Sequence, residues 1–220
     1  MFGKWFGKKD SQEKEDKFSD LPSPYNLRLK GALDIDPLPF TMLSEKLNFE
    51  LPAKTQIIEA HGKINLGSGS YLNRYYTSDD AFIQINSTGG FDEQHVDDIK
   101  LFAFEDTLTP ANQTEWESWT GKDSKIGDPT FSFLDTEYKR VWMSQSDGSV
   151  LPVEFEEIVT NLVENEDPYT VVHLSMLYER QIKDTERYEY LLISAEHTLN
   201  DAHIVFSLGV DLSPQDIVVT

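Results

Sequence analysis

The sequence predicts a mainly β domain, built as an antiparallel sandwich or roll with one or two short helices. Short runs in which apolar and polar residues alternate recur along the chain, and polar or glycine-containing turns separate them. Aromatic residues make up 12% of the 220 residues, so large rings can supply much of the buried area of a core. No apolar run approaches the roughly 18 to 20 residues that a membrane-spanning helix requires.

The first 24 residues are predicted to lie outside a single domain that spans residues 25–220. Residues 1–9 interleave aromatic residues with lysines and contain no acid, whereas residues 10–24 form a polar linker that ends in two prolines. Lysines and aromatic rings favour an anionic membrane surface, so this head is a candidate for weak membrane contact. An alternative is a frayed terminus without function, because one turn with two glycines is too short to be helical alone. The candidate membrane-contact residues are Phe2, Lys4, Trp5, Phe6, Lys8 and Lys9.

The next elements are short. One or two strands are predicted in residues 27–36, where leucine and isoleucine alternate with other residues. Residues 38–47 place apolar residues at helical spacing and predict a short helix. Residues 48–52 and 55–66 are predicted as two further strands.

Residues 71–85 are predicted to form a β-hairpin around which the rest of the domain is organised. Two aromatic and β-branched runs flank a polar turn, and a turn centred on Ser78 and Asp79 places Arg74 opposite Ile83. Arg74 would then share an apolar face, which is costly unless a carboxylate pairs with it. The alternative is that Arg74 lies at the edge of that face and extends its charged end into water.

The second half of the domain is predicted to contain a long loop, one helix and a meander. Residues 99–105 form a strand, residues 107–130 are irregular, and Asp147–Gly148 has the composition of a hairpin turn. Residues 152–165 place apolar residues at helical spacing behind a proline and several acids, which predicts a helix. Three further strands form an antiparallel meander, and they are residues 171–182, 188–199 and 202–212.

The charge of the chain restricts its partners. There are 39 acidic and 19 basic residues, giving a net charge of −20, which argues against binding to nucleic acid. A basic protein is the partner that such a charge would steer, although acidity can also serve solubility alone. The sequence has no cysteine, so it has no disulfide and no thiolate site. These features predict a cytoplasmic protein, peripheral to the inner membrane where its head makes contact.

No catalytic residue, cofactor or metal site is assigned from the sequence. It has no Walker loop or dinucleotide-binding fingerprint, and the acids of residues 92–98 lack the spacing of a metal-binding loop, so a solvated loop is favoured there. The alternative function is a hydrolase or small-ligand-binding enzyme with a site between the hairpin of residues 71–85 and the loop of residues 107–130. The candidate residues of that site are Arg74, Asp79, Asp80, Trp116 and Trp119.

Four short segments resemble the YjfK-like family of bacterial proteins of unknown function. They read RYY at 74–76, DDAF at 79–82, MLYER at 176–180 and EYLL at 189–192. The resemblance implies no activity and no catalytic residues, but members tend to be encoded beside a phage-shock-protein-A-like membrane-remodelling protein. By association alone, it implies a non-enzymatic interaction module in a membrane-associated envelope-stress assembly.

Overall fold

A computed structural model describes residues 21–162, 167–199 and 201–220. The predicted membrane-contact head and most of the predicted linker lie outside the described residues.

The mainly β class is confirmed. The elements are β1 (Ala32–Ile35), α1 (Leu38–Thr41), β2 (Thr55–Gly67), β3 (Ser70–Thr77), β4 (Ala81–Thr88), β5 (Val96–Leu108), α2 (Gln113–Thr120), β6 (Thr130–Phe133), β7 (Thr136–Arg140), β8 (Val153–Asn161), β9 (Tyr169–Gln181), β10 (Tyr188–His197), β11 (Ala202–Asp211) and β12 (Ile217–Val219).

The sheet closes into an eight-stranded antiparallel barrel, so the predicted sandwich or roll is wrong. The order around the ring is β2, β3, β4, β5, β11, β10, β9 and β8, and β8 pairs with both β9 and β2. In a closed ring each strand has a neighbour on both sides, so the ring has no edge strand. Outside the ring, β1 pairs with β2 and β12, and the β6–β7 hairpin pairs with β9.

The strand that closes the ring was predicted as a helix. Residues 152–165 were expected to be helical, but Val153–Asn161 forms β8. Along β8, buried and exposed side chains alternate with the period of two that a strand requires. One of the buried residues is Glu157, and an acid in an inward position obscures the apolar alternation on which sequence-based prediction relies.

The β3–β4 hairpin is confirmed, but its register differs by one residue from the prediction. Thr77 pairs with Ala81 around a three-residue turn whose last residue, Asp80, has a left-handed φ of +48°. Arg74 consequently lies opposite Gln84 instead of Ile83. Because side chains alternate along a strand, this shift places Ile83 on the opposite face from Arg74.

Several other local predictions are wrong or only partly right. Residues 27–36 contain one strand, β1, and residues 38–47 contain a four-residue helix followed by a 3-10 turn. Residues 48–52 form no strand. The predicted loop of residues 107–130 contains α2, whose first turn is capped by Asn112.

Further along the chain, the Asp147–Gly148 step is not a tight hairpin turn. The hairpin turn in this region lies at Leu134–Asp135, between β6 and β7, and both residues have positive φ. The final meander of β9, β10 and β11 is confirmed, with continuous antiparallel pairing.

The barrel has an inner and an outer face. Arg74 of β3 and Glu157 of β8 lie 2.9 Å apart, although their strands do not pair and instead flank β2. Side chains of non-adjacent strands converge in this way on the concave side of a curved sheet, so both point into the barrel. The next residue along β8, Ile158, points outward and is 52% exposed.

Two stretches of chain cover much of the outer face. Residues 21–54 and 109–135 pack apolar side chains against outward residues of the strands, and Tyr75 and Tyr178 donate hydrogen bonds to backbone carbonyls of these stretches. The shared cluster includes Leu33, Phe40, Phe49, Trp119 and Ile126 of the cover and Ile83, Leu101, Leu191, Ile193 and Leu208 of the barrel.

Across the part of the chain that the structure describes, we find no helix with the length and apolar character needed to cross a membrane.

Candidate functional site

A group of polar side chains is enclosed within the barrel, and we call it the barrel network. Arg74, Glu157 and His173 are 2%, 0% and 1% exposed, respectively. Charged groups that are removed from water in this way are unfavourable unless they are paired. The contacts within the group therefore contribute to the stability of the fold. The members are Arg74 and Tyr76 of β3, Gln84 of β4, Glu157 of β8, His173 and Ser175 of β9, and Ser194 and Glu196 of β10.

Glu157 is the centre of the barrel network. Its Oε2 lies 2.9 Å from Arg74 Nη1 and 2.8 Å from His173 Nε2, and its Oε1 accepts a 2.8 Å hydrogen bond from the Tyr76 hydroxyl. The His173 contact is an ion-pair contact, because its geometry falls outside that of a directed hydrogen bond. A Cβ at Gly62 of β2 would lie 1.6 Å from Glu157 Oε1, so glycine lets the carboxylate cross that strand.

Arg74 is held by polar and aromatic neighbours together. Its Nε donates a 3.0 Å hydrogen bond to Gln84 Oε1, and its Cζ lies 5.3 Å from the Phe82 ring centroid and 5.7 Å from that of Phe155. Such distances suit cation–π contacts, which compensate a guanidinium for part of its lost hydration. Its Nη2 is buried and has no hydrogen-bond partner among the described residues.

His173 links Glu157 to β10. Its Nδ1 lies 3.0 Å from Ser194 Oγ and 3.4 Å from Glu196 Oε1, and Ser194 Oγ lies 2.6 Å from Ser175 Oγ. The contacts therefore run without interruption from Arg74 on β3 to β10, on the far side of the ring.

The ionisation of the barrel network follows from its contacts. Burial alone would raise the pKa of Glu157, but the Arg74 charge, assisted by His173 and Tyr76, lowers the pKa to about 2. Burial alone would lower the pKa of His173, but contacts with Glu157 and Glu196 raise the pKa above its ordinary value. These shifts favour two cations, Arg74 and His173, facing two carboxylates, the buried Glu157 and the partly exposed Glu196.

The order Ser194, His173, Glu157 matches that of a nucleophile, a base and an orienting acid. Ser194 is only 2% exposed, however, and Glu157 is also held by Arg74 and Tyr76. A substrate would reach Ser194 Oγ only if the barrel opened. In the closed barrel, these residues can hold a proton on His173 and join four strands, namely β3, β8, β9 and β10.

The five candidate residues of the predicted enzyme site are not brought together. Arg74 points into the barrel, whereas Trp119 packs on the outer face against Phe206, with ring centroids 5.7 Å apart. Asp79 accepts a hydrogen bond from the backbone N–H of Ala53, at the end of the hairpin. Asp80 occupies the left-handed position of the same turn.

Trp116 lies on α2 beside a surface groove of about 450 Å³. Its ring meets the His197 ring edge-on at a centroid distance of 5.8 Å, and Asn112 and Asp201 also line the groove.

The acidic segment of residues 92–98 makes contacts within the protein. Asp97 accepts a 2.7 Å hydrogen bond from Thr88, and Asp98 lies 2.5 Å from Lys100 Nζ. Among residues 21–162, 167–199 and 201–220, no group of three or more His, Asp or Glu side chains has an arrangement suited to a metal ion.

A second buried carboxylate, Glu189 of β10, binds the covering stretch of residues 21–54 to the barrel. One of its oxygens accepts 2.7 Å hydrogen bonds from the backbone N–H groups of Asn48 and Phe49, and the other accepts from Tyr138 and Arg180. Burial and the Glu189 contact raise the pKa of Tyr138 to about 12, so its hydroxyl remains a donor.

The sequence singles out Arg74 but not its partner Glu157, which falls within the predicted helix of residues 152–165. His173 is predicted as a hydrogen-bonded core residue within an apolar strand, and its burial and its contact with Ser194 confirm this, but the contact of His173 with Glu157 is not predicted. A signal was available in Gly62, because a glycine within a strand often marks the close approach of another group.

Comparison with other sequences identifies the family. Residues 1–218 match a family described as protein of unknown function (DUF2491). The chain belongs to the DUF2491 family. This DUF2491 chain is 34% identical over 204 residues to the uncharacterized protein YjfK of Escherichia coli (strain K12), covering 90% of the chain and 91% of that protein. The resemblance predicted from four short segments is confirmed. No solved structure matches the chain.

Replacing one member of the buried ion pair should destabilise the fold more than removing both charges. Glu157→Leu leaves the Arg74 guanidinium without its carboxylate, a loss that costs about 3–5 kcal/mol. Arg74→Met/Glu157→Leu removes both charges, so its unfolding free energy should exceed that of Glu157→Leu alone. Urea unfolding followed by tryptophan fluorescence measures the two single variants and the double variant.

The exposed pair Lys46–Asp184, whose Nζ–Oδ2 distance is 3.7 Å, is the matched control. A cycle of Lys46→Met and Asp184→Leu should show a coupling of about 0–1 kcal/mol. Strictly additive costs for Arg74→Met and Glu157→Leu would contradict the importance assigned to the buried pair.

Glu157 should also make the unfolding free energy depend on pH. Its folded pKa of about 2 lies below the ordinary value of 4.5, so its contribution is present above pH 4.5 and lost as the pH falls toward 2. The difference in unfolding free energy between the wild type and Glu157→Gln should shrink by about 3 kcal/mol over that range. Urea unfolding at a series of pH values tests this, and a constant difference would show that Glu157 does not titrate as inferred.

Proposed function

We propose that this DUF2491 protein is a non-enzymatic interaction module whose acidic surface binds a basic protein partner. The observation that supports this most directly is the location of its charge. The buried charged side chains of the described residues comprise four cations and two acids, so the net charge of −20 is not consumed inside the fold. The cations are Arg74, Lys100, Arg140 and His173, whose pKa is raised by its contacts, and the acids are Glu157 and Glu189.

Two of the buried cations offset few of the surface acids, because Lys100 contacts two half-exposed acids and Arg140 bonds to backbone carbonyls. Lys100 Nζ contacts Asp98 and Asp211 and lies 4.6 Å from the Tyr190 ring centroid. Arg140 donates hydrogen bonds to four backbone carbonyls in the irregular segments before and after it. Much of the remaining surface therefore presents acids without matching cations.

Some of the surface acids repel one another. Burial, followed by the neighbouring charges of Glu50 and Asp106, raises the pKa of Glu105. A cationic partner would relieve such repulsion on binding, which favours association with a basic surface.

The proposed partner is a phage-shock-protein-A-like protein, within a membrane-associated envelope-stress assembly. This choice rests on the association of the YjfK-like family with such proteins, and charge complementarity is consistent with it. The proposed location is the cytoplasmic side of the inner membrane, where the aromatic and basic head of residues 1–9 would add weak membrane contact.

Binding to a purified phage-shock-protein-A-like protein should depend strongly on salt. We expect affinity to fall by about tenfold or more between about 0.05 M and 0.3 M salt, because screening weakens attraction between exposed charges. Isothermal titration calorimetry measures this. A chain lacking residues 1–9 is the control, since it loses three lysines, changes its net charge from −20 to −23 and should still bind. No binding at low salt, or binding indifferent to salt, would refute the proposal.

Membrane contact should depend on the head. Co-sedimentation with anionic phospholipid vesicles should be lost when residues 1–9 are deleted, because the remaining chain is repelled by the same lipids. Substituting Lys4, Lys8 and Lys9 by glutamine separates the role of charge from that of the aromatic residues. Equal sedimentation of the intact and deleted chains would exclude the head as a membrane contact.

A further inference from the structure

The outer face of β8 differs from the outer faces of β4 and β10. Ile83 and Ile193 point outward from β4 and β10 and are completely buried under the covering chain, whereas Ile158 of β8 is 52% exposed. Glu154 and Glu156, which share the outward direction of Ile158, are also exposed. The described covering stretches therefore leave this part of the barrel surface uncovered.

An acidic row and an apolar row lie side by side on this surface. Antiparallel pairing of β8 with β9 places Glu154 opposite Leu174 and Glu156 opposite Val172. Leu174 and Val172 are half-buried, so part of each apolar side chain remains accessible. We call this surface the β8–β9 face, and it consists of Glu154, Glu156, Ile158, Val172 and Leu174.

A helical partner would approach the β8–β9 face from outside the barrel. β8 pairs with β9 along Val153–Val159 and with β2 along Glu157–Asn161, so a partner strand could be added only beside the four residues Val153–Glu156. A second copy of the chain would oppose like charges, since each copy brings Glu154 and Glu156. Lys63, opposite Ile158 on β2, is the nearby cation, and its Nζ lies over the Phe91 ring at 4.6 Å.

We infer that the β8–β9 face binds a basic amphipathic helix, an inference that rests on the proposed function and specifies where the basic partner docks. Alternate residues on one face of a strand are about 6.6 Å apart, as Glu154 and Glu156 are in the extended β8 strand. Residues i and i+4 of a helix are separated by about 6 Å along its axis, so two lysines at that spacing can face both carboxylates. Apolar side chains of the same helix then cover Ile158, Val172 and Leu174.

The test uses the full-length chain and a labelled lysine–leucine peptide of about 18 residues, long enough to form an amphipathic helix. A peptide of the same composition with a scrambled order removes the amphipathic pattern but keeps the charge. Fluorescence anisotropy at about 0.15 M salt should show about tenfold weaker binding of the scrambled peptide.

Charge reversal then locates the site. Glu154→Lys/Glu156→Lys should weaken binding of the amphipathic peptide by about tenfold. Asp184→Lys/Glu186→Lys is the matched control, because it makes the same charge change in the exposed β9–β10 turn, and it should weaken binding by less than about threefold. Ile158→Ser, which keeps every charge, should also weaken binding. Circular dichroism and thermal unfolding verify that each variant is folded.

The outcomes separate the two proposals. Equal weakening by the two charge reversals, or no effect of Ile158→Ser, would overturn the β8–β9 face and leave the general acidic interaction module intact. Failure of the wild-type chain to bind the amphipathic peptide would also overturn the face. Failure to bind the phage-shock-protein-A-like protein at low salt would instead overturn the proposed function.

Discussion

The ion pair between Arg74 and Glu157 is the constraint on which the barrel depends. It joins two strands that do not pair with each other, and it crosses β2 where Gly62 leaves room for the carboxylate. A shift of β8 by one residue would turn Glu157 toward water and leave the guanidinium alone inside the ring. Because an unpaired buried charge is strongly unfavourable, the pair specifies the register of the closing strand as well as stabilising it.

β8 contributes residues both to the interior of the barrel and to its outer surface. Inward residues of β8 complete the barrel network, while its outward residues, Glu154, Glu156 and Ile158, remain exposed. The barrel network uses its polar groups to satisfy one another, and the covering chain occupies much of the outer surface through contacts such as those of Glu189. Recognition of a partner is therefore proposed for the outer surface, with the enclosed polar groups holding that surface in one conformation.

The sequence was sufficient for the mainly β class, the β3–β4 hairpin and the final meander, but not for the closed barrel, because alternating apolar residues and polar turns report local structure only. It was insufficient where a distant contact decides the outcome. Residues 152–165 contain apolar residues at both helical and strand spacing, and only the pairing of Glu157 with Arg74 explains why an acid points inward. The hairpin register depended on the left-handed Asp80, a position that residue type alone did not reveal. Of the candidate site, Arg74 was identified, but its partner Glu157 lies 83 positions away, and His173, which contacts Glu157, lies on a further strand.

The position of β11 in the ring has a consequence for how the protein is made. β11 lies between β5 and β10, so β5 gains this neighbour only after β11 has been synthesised. While the ribosome is still translating, β5 therefore has an unpaired edge, and the interior of the barrel is open to water. Such edges attract other chains and chaperones until they are paired. This protein therefore has an exposed strand edge from the synthesis of β5 until β11 pairs with it.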